Sequence, residues 1–560
     1  MNSLHPRLYL ILSFVFLLVR QASAQGSSTL EINKAGELIG ESGFERLIGD
    51  VEMRHQNSLI YCDSAYFYRA TNQARLFGNV RIVDQEDPIR TSSAYAEYDG
   101  NKKLAKLRDN VVFTNQETTL YTDYLDYDRE LNIAYYFNEG KVVDSVNVLT
   151  SEKGRYEVSI EQITFEDDVV LVNPDYTMKT NDLVYLTIPK SAETKGLTNL
   201  ISKEGNTLDA QNGSFYDTQN KQFQFFDGVV ETETSRVKAI ELFYDENLAY
   251  YEGKNDVRVF NKERNVEVFG DVGKYWEERK YSLVYGNALV RKYFEQDTLF
   301  MTADSLISQD NELDSAKFLL AFNSVNIVKQ DLSGKADSLV YNYNDSSIQL
   351  FNDPVMWNQK SQISSDSMTF YIVNENLDRV YLKDNAFIIT QDTILNFNQM
   401  KGRKMMGYFS EGQISKMDID GNGESLYFVL EADTASQGIN MTKSATIKLG
   451  FNEGAIQRVN YGIKPDGRFI PFQNLDEDNS KLSGFNWRFE ERPDMDTIMK
   501  WRTPVEIDPD LKNLFKVPQV EIRMPTDEEI EEELKKRGAM PVKRVFEQKK
   551  SPIKSGNVQS

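Results

Sequence analysis

Leu76-Phe-Gly-Asn-Val-Arg-Ile82 reads as a β-strand with a bend in its middle. Leu76, Val80 and Ile82 share one parity, the alternation of a strand with a single buried face. The residue two places before the Val has the same parity, and in related phrases it is Gly, Asp or Asn. A bare carboxylate facing an apolar interior is costly, whereas all three residue types tolerate left-handed or bulged backbone. That position is therefore expected to be a bend that re-aims the strand. The phrase recurs as Leu47-Ile-Gly-Asp-Val51, Leu107-Arg-Asp-Asn-Val111, Phe165-Glu-Asp-Asp-Val169, Phe225-Phe-Asp-Gly-Val229 and Phe351-Asn-Asp-Pro-Val355. The Val or its stand-in falls at 51, 80, 111, 142, 169, 229, 257, 288, 325, 355 and 386, with Ala at 288 and 386. A unit that returns about every thirty residues signifies a stacked repeat architecture of roughly a dozen units.

A second strand follows in most units, as in Cys62-Asp-Ser-Ala-Tyr-Phe-Tyr68, Ser92-Ser-Ala-Tyr-Ala-Glu-Tyr98, Ala303-Asp-Ser-Leu306, Ala336-Asp-Ser-Leu-Val-Tyr341 and Ser365-Asp-Ser-Met-Thr-Phe-Tyr371. Small residues followed by apolar and aromatic ones suit a half-buried strand beneath a close neighbour. Turn formers such as Asp99-Gly-Asn101 link the two strands. The fold expected is all-β, an elongated antiparallel stack of hairpins. The inward residues are Val51, Leu76, Val80, Ile82, Leu107, Val111, Phe113, Phe165, Val169 and Leu171. They would line either a continuous apolar trough or the core of a closed β-sandwich.

Residues 1–24 read as an export signal, with Arg7, an apolar run from Leu8 to Val19 and Ala22-Ser23-Ala24 before Gln25. The remaining segments expected are β-repeats over 25–190, a linker or degenerate unit over 191–206, further repeats over 207–400, a β segment over 401–500, and a charged helix and tail over 501–560. Thr526-Asp-Glu-Glu529 is a capping box that opens a short helix through Lys536, and the basic residues Lys543, Arg544, Lys549, Lys550 and Lys554 follow in an expected disordered tail.

The formal net charge of −22 argues against nucleic acid, whose phosphates demand a basic footprint. A single Cys, Cys62, permits no intramolecular disulfide, so the fold must be held by its core. His55 is the one histidine outside the signal, and a Cys62–His55 pair reads as a buried thiol and a loop imidazole rather than a catalytic couple. Asp418-Ile-Asp-Gly-Asn-Gly-Glu424 opens like a calcium loop, but Val429 stands where the closing Glu belongs, which favours a hairpin turn. No catalytic residue, metal ligand or cofactor is expected.

The Leu-x-Gly-Asn-Val-x-Ile phrase, the Ala-Asp-Ser-Leu and Ser-Ala-Tyr strands and the export signal together resemble OstA-like proteins. That family includes the periplasmic bridge component LptA and the amino-terminal domain of LptD. The resemblance covers about residues 38–400, and Gly407 to Trp487 looks like the far end of longer OstA-like chains. It implies a β-jellyroll or β-taco, whose two sheets splay into a V around an open groove for the acyl chains of lipopolysaccharide. It also implies a periplasmic location, with outer-membrane association left open. Its implied partners are lipopolysaccharide and, by end-to-end strand pairing, inner-membrane LptC-like and outer-membrane LptD-like components. No carboxy-terminal barrel is evident after residue 500, unlike LptD. Two other readings stay open: a secreted β-repeat scaffold or adhesin with a closed core, and a polysaccharide-acting enzyme that uses a carboxylate cluster.

Overall fold

A strand that must serve two walls has to turn a corner without breaking its ladder, and this chain does so once in almost every repeat. The computed structural model describes residues 29–502, apart from short stretches at 86–87, 117, 145, 189, 295–296, 311–316, 375, 393, 432–434, 453–454 and 478. The export signal, the helix at Thr526 and the basic tail lie outside the described residues. Those residues form 38 strands and one α-helix, an all-β fold with antiparallel pairing. They divide into two compact units, one before and one after the boundary between Gly196 and Leu197.

In the first unit ten strands of 10 to 12 residues, from Phe44–His55 to Tyr176–Leu186, form a meander in which each pairs with the next. The ladder shifts register midway, for example between Phe77 and Val80. The corner is made by two consecutive left-handed residues: Gly49 and Asp50, Gly78 and Asn79, Asp109 and Asn110, Asn138 and Glu139, Asp167 and Asp168. The bend thus takes both residues before the Val, not only the one two places earlier.

The carboxylate of the neighbouring strand locks the corner. Asn79 Nδ2 donates to Asp63 Oδ2 at 2.9 Å. In the second unit the same bond joins Asn287 to Asp271, Asn323 to Asp304, Asn352 to Asp337 and Asn385 to Asp366, at 2.8–3.1 Å. The Asp of Ala-Asp-Ser-Leu therefore holds the Asn side chain of the next corner. At Gly78, with φ +73°, a Cβ would stand 2.4 Å from Asp63 Oδ2, so any larger residue there has to displace that carboxylate.

Two positions in the repeat count are corrected. The residue after the fourth corner is Gly140, which is buried, while Val142 lies two places on and is half-buried. At the sixth position the corner shrinks to a single left-handed residue, Asp227, so Gly228 faces inward and Val229 does not. The Asp418 to Glu424 stretch is likewise a corner, with Gly421 and Asn422 left-handed inside Gln413–Glu431, and not a hairpin turn.

Packing along the first unit alternates large and small residues in register. Leu47, Ala65, Leu76, Ala96 and Leu107 are successive ladder partners, as are Phe67, Ala74, Tyr98, Ala105, Tyr127 and Ala134. Each ring covers the alanines beside it, which explains the small-then-aromatic pattern of the second strand. Where Tyr136 replaces a Leu, its ladder partner is Gly154 and the residue past the corner of its own strand is Gly140, and a Cβ on either would lie 2.2–2.3 Å from the ring.

The second unit separates the two walls into distinct sheets. The first half of Val266–Trp276 pairs with Leu289–Tyr293 and its second half with Tyr281–Tyr285. From there one sheet continues through Ser305–Gln309, Phe318–Phe322 and Ser338–Asn342, and the other through Thr298–Thr302, Val325–Lys329 and Leu332–Ala336. Asn376–Gln391 then joins both again. The 191–206 stretch, expected as a linker or degenerate unit, contains the short strands Ser191–Thr194 and Thr198–Ser202.

The expected β segment over 401–500 ends at Pro471. Residues 472–502 instead form a strap across the outer face of the second sheet, ending in the helix Met495–Trp501, which Asp494 and Thr497 close with a capping box. Gln399 Oε1 accepts from Leu482 N at 2.7 Å, and Gln362 Oε1 accepts from Arg488 N at 2.7 Å. Ile498 is fully buried in the cluster that contains Phe300 and Val328. Glu491 receives a two-pronged bond from Arg488 and an ion pair from Lys335 at 3.0 Å. Chiefly the Arg488 bond, and then Lys335, hold its carboxyl down at about 2, against an ordinary 4.5. A depressed acid stabilises the fold fully above its ordinary pKa and loses that contribution as pH falls through the lowered one. Acid loosening of the strap, followed by Trp487 and Trp501 fluorescence, is therefore expected between pH 4.5 and 2, with a smaller step in Glu491→Gln.

Candidate functional site

The inward rows of the first unit gather the residues expected to line an interior. Val51, Val80, Val111 and Val169 follow the corners, Leu76, Leu107 and Phe165 lie on one wall, and Ile82, Phe113 and Leu171 lie on the other. All ten belong to one apolar assembly. Nine are buried, and Leu171 packs at its margin.

This interior is tied shut across its mouth. His55 and Asp84 stand on one wall, and Tyr98 and the turn carrying Arg129 on the other. His55 Nδ1 shares a hydrogen bond with Tyr98 Oη at 2.7 Å, Arg129 donates to Tyr98 Oη at 3.1 Å and pairs with Asp84 at 2.6 Å, and Ser58 Oγ donates to Asp84 at 2.9 Å. His55, Ser58 and Tyr98 are buried, and the Arg129 and Asp84 side chains are 9% and 12% exposed. A second tie runs from Asn115 Nδ2 to Tyr156 Oη at 2.6 Å. Burial pushes the Cys62 thiol up to about 12, so it is no nucleophile near neutral pH. Among the described residues no group of three or more His, Cys, Asp or Glu side chains is arranged to hold a metal ion.

Over residues 198–276 of the second unit the equivalent rows stand half-open. One wall presents Tyr216, Phe223, Tyr244, Tyr251 and Tyr275, successive ladder partners whose rings contact one another, with Tyr216 stacked on Phe223 at 3.9 Å and Tyr244 on Tyr251 at 4.4 Å. Tyr251 and Tyr275 are each 37% exposed. The other wall presents Leu208, Val230, Val237, Val259 and Val268, again in register and each only half-buried. The floor holds Phe225, Leu242, Gly253 and Gly273. A Cβ at Gly253 would stand 3.3 Å from Ala239 and Val257, and one at Gly273 3.0 Å from Val257, so the floor is closely packed at both glycines.

The tyrosine wall has an apolar body and a polar lip. Tyr251 Oη donates to Glu277 at 3.0 Å, and burial raises the Tyr251 and Tyr244 phenols, so both remain neutral donors. Such rings suit a boundary between hydrocarbon and water. Sequence reasoning missed this stretch. Its signal was the row of aromatics at 216, 223, 244, 251 and 275 together with the inward glycines, legible only once the ladder register was known.

Residues 29–181 match the family model described as OstA-like protein, and residues 255–376 match the one described as LptA/(LptD N-terminal domain) LPS transport protein. The OstA-like resemblance of the repeats is thereby established over these stretches, and the families matched are transport proteins rather than enzymes. No curated protein matches the chain. Among the described residues no helix is long and apolar enough to cross a membrane.

Proposed function

We propose, from the match to lipopolysaccharide transport families, that this chain carries lipopolysaccharide through the periplasm toward the outer membrane, with the acyl chains inside its apolar interior and the sugars in solvent. The observation that carries this reading is the half-open trough over 198–276, with its half-exposed aromatic and aliphatic walls. Each methylene moved from water into such a trough contributes roughly 0.8 kcal/mol. The closed interior of the first unit, with Val51, Leu76, Val80, Ile82, Leu107, Val111, Phe113, Phe165, Val169 and Leu171, is in this reading a second acyl-chain interior in a tied state.

Among the described residues each unit also offers an unshielded edge. In the first unit Glu37–Glu41 pairs with Phe44–His55 and exposes Leu38 and Ile39. In the second, Ala455–Gly462 pairs with Ala435–Asn452 and exposes Ile456, Val459 and Tyr461. Strand addition at such edges is the expected contact with LptC-like and LptD-like components. The tied first unit favours a second reading, a closed-core scaffold. Mass spectrometry of lipid extracted from the gently purified full chain separates the two: co-purified lipopolysaccharide supports carriage, and protein empty of lipid supports the scaffold.

A further inference from the structure

We infer that the second unit pairs with a second copy of this chain through the outer face of one of its two sheets. That sheet runs through Tyr281–Tyr285, Ser305–Gln309, Phe318–Phe322, Ser338–Asn342 and Ser347–Phe351. Leu306, Ala321, Leu339 and Leu350 are successive ladder partners that face the interior, and all are buried. The alternate residues face outward, three from each of five strands, and none of these fifteen carries a charge. Leu283, Ile307, Leu320 and Val340 form the central row, with Phe318 and Phe322 on its two flanks. Charged residues make up 27% of the chain, and on the outer face of the first unit Arg75, Glu97, Lys106 and Asp126 are successive ladder partners. An uncharged outer face therefore needs a cause beyond strand alternation. On the opposite sheet the cause is the strap, which covers Gln362 and Gln399, each 1% exposed. Here Ile307, Leu320 and Val340 are only half-buried, and Phe322 is 42% exposed.

Charge, area and symmetry fit a second copy to this face. The full chain carries −22, so two copies repel wherever charged surfaces meet and approach closely only where charge is absent. Five strands at ~4.8 Å and five residues at ~3.4 Å make a face of about 400 Å² in plan. An apolar patch of that size marks an interaction site. With its rim it reaches the lower end of what a specific pair of proteins buries, which makes the pairing weak and dependent on concentration. A twofold contact uses the same patch on both partners, so the patch must complement itself. An axis at Leu320, the centre of the face, sets Leu320 against its copy and lays apolar side chains on apolar ones, as in face-to-face packing of two sheets.

The test is sedimentation of the purified full chain from about 1 to 100 µM, with Leu320→Lys beside it. The expected result is a monomer–dimer equilibrium that Leu320→Lys weakens roughly tenfold or more, because two like charges then face each other across the axis. Leu320 is half-buried, so the lysine reaches water in the monomer, and circular dichroism checks that the β signal is kept. A photo-crosslinking residue at Leu320 in a third protein reads the occupant directly and decides the matter if the lysine variant fails to fold. Adducts at dimer mass that join position 320 to residues 281–351 of another copy support the pairing. A protein that stays monomeric over the whole range overturns it. A dimer that Leu320→Lys leaves unchanged overturns it as well, since the copies then join elsewhere. An adduct at monomer mass to residues 503–560 also overturns it, because the chain's own tail then holds the face.

Discussion

Arg129→Ala lowers the stability of the first unit by about 3–5 kcal/mol, the usual consequence of removing one partner of a buried ion pair. The guanidinium reaches Asp84 and Tyr98 at once, so its loss leaves a carboxylate with 12% exposure lacking its cation and takes a donor from a buried phenol. Urea unfolding of the full chain should show an earlier transition for the first unit alone. Asp84→Asn in the same background should recover part of the loss, because the stranded charge is then gone. A change below about 1 kcal/mol, the range of exposed pairs, would mean that the walls are held by apolar packing and not by this tie.

Val237→Asp and Val259→Asp are expected to reduce lipid loading at least tenfold while both units still unfold cooperatively. Both side chains are half-buried, so the carboxylate can reach water in the empty protein. A bound acyl chain removes that water, and an unpaired charge against hydrocarbon costs several kcal/mol. Val80→Asp is expected to behave differently. Val80 is fully buried at a corner, so the charge has no route to water and the first unit itself is lost. Loading measured by extraction, with circular dichroism on the same samples, separates the two outcomes. Unchanged loading in both trough variants would place the lipid elsewhere.

Much of the first unit was legible in the chain. Period-two parity around Leu76, Val80 and Ile82 put those side chains on one face, because the left-handed pair between Phe77 and Val80 preserves that parity. Where the corner is shorter, at Asp227, the same rule pointed to Val229 and the buried residue is Gly228. Local pattern cannot count the residues in a bulge. The partner of a corner was hidden for another reason: Asp63 and Asn79 meet across a ladder, and the pairing becomes visible only with register. The strap escaped notice because its anchors, Gln362 and Gln399, lie more than eighty residues away. The openness of the trough was the least legible feature. It depends on whether opposite walls touch, and the same apolar alternation serves His55 facing Tyr98 and Val237 facing a half-open trough.

The most direct measurement places a photo-crosslinking residue at Val237, inside the trough, and in a second protein at Lys238, the exposed neighbour of opposite parity, with lipopolysaccharide supplied to both. The account requires a lipopolysaccharide adduct at 237 and little or none at 238. Equal labelling at the two positions, or labelling only at 238, would show that lipid meets the outer surface and that the apolar interior carries nothing.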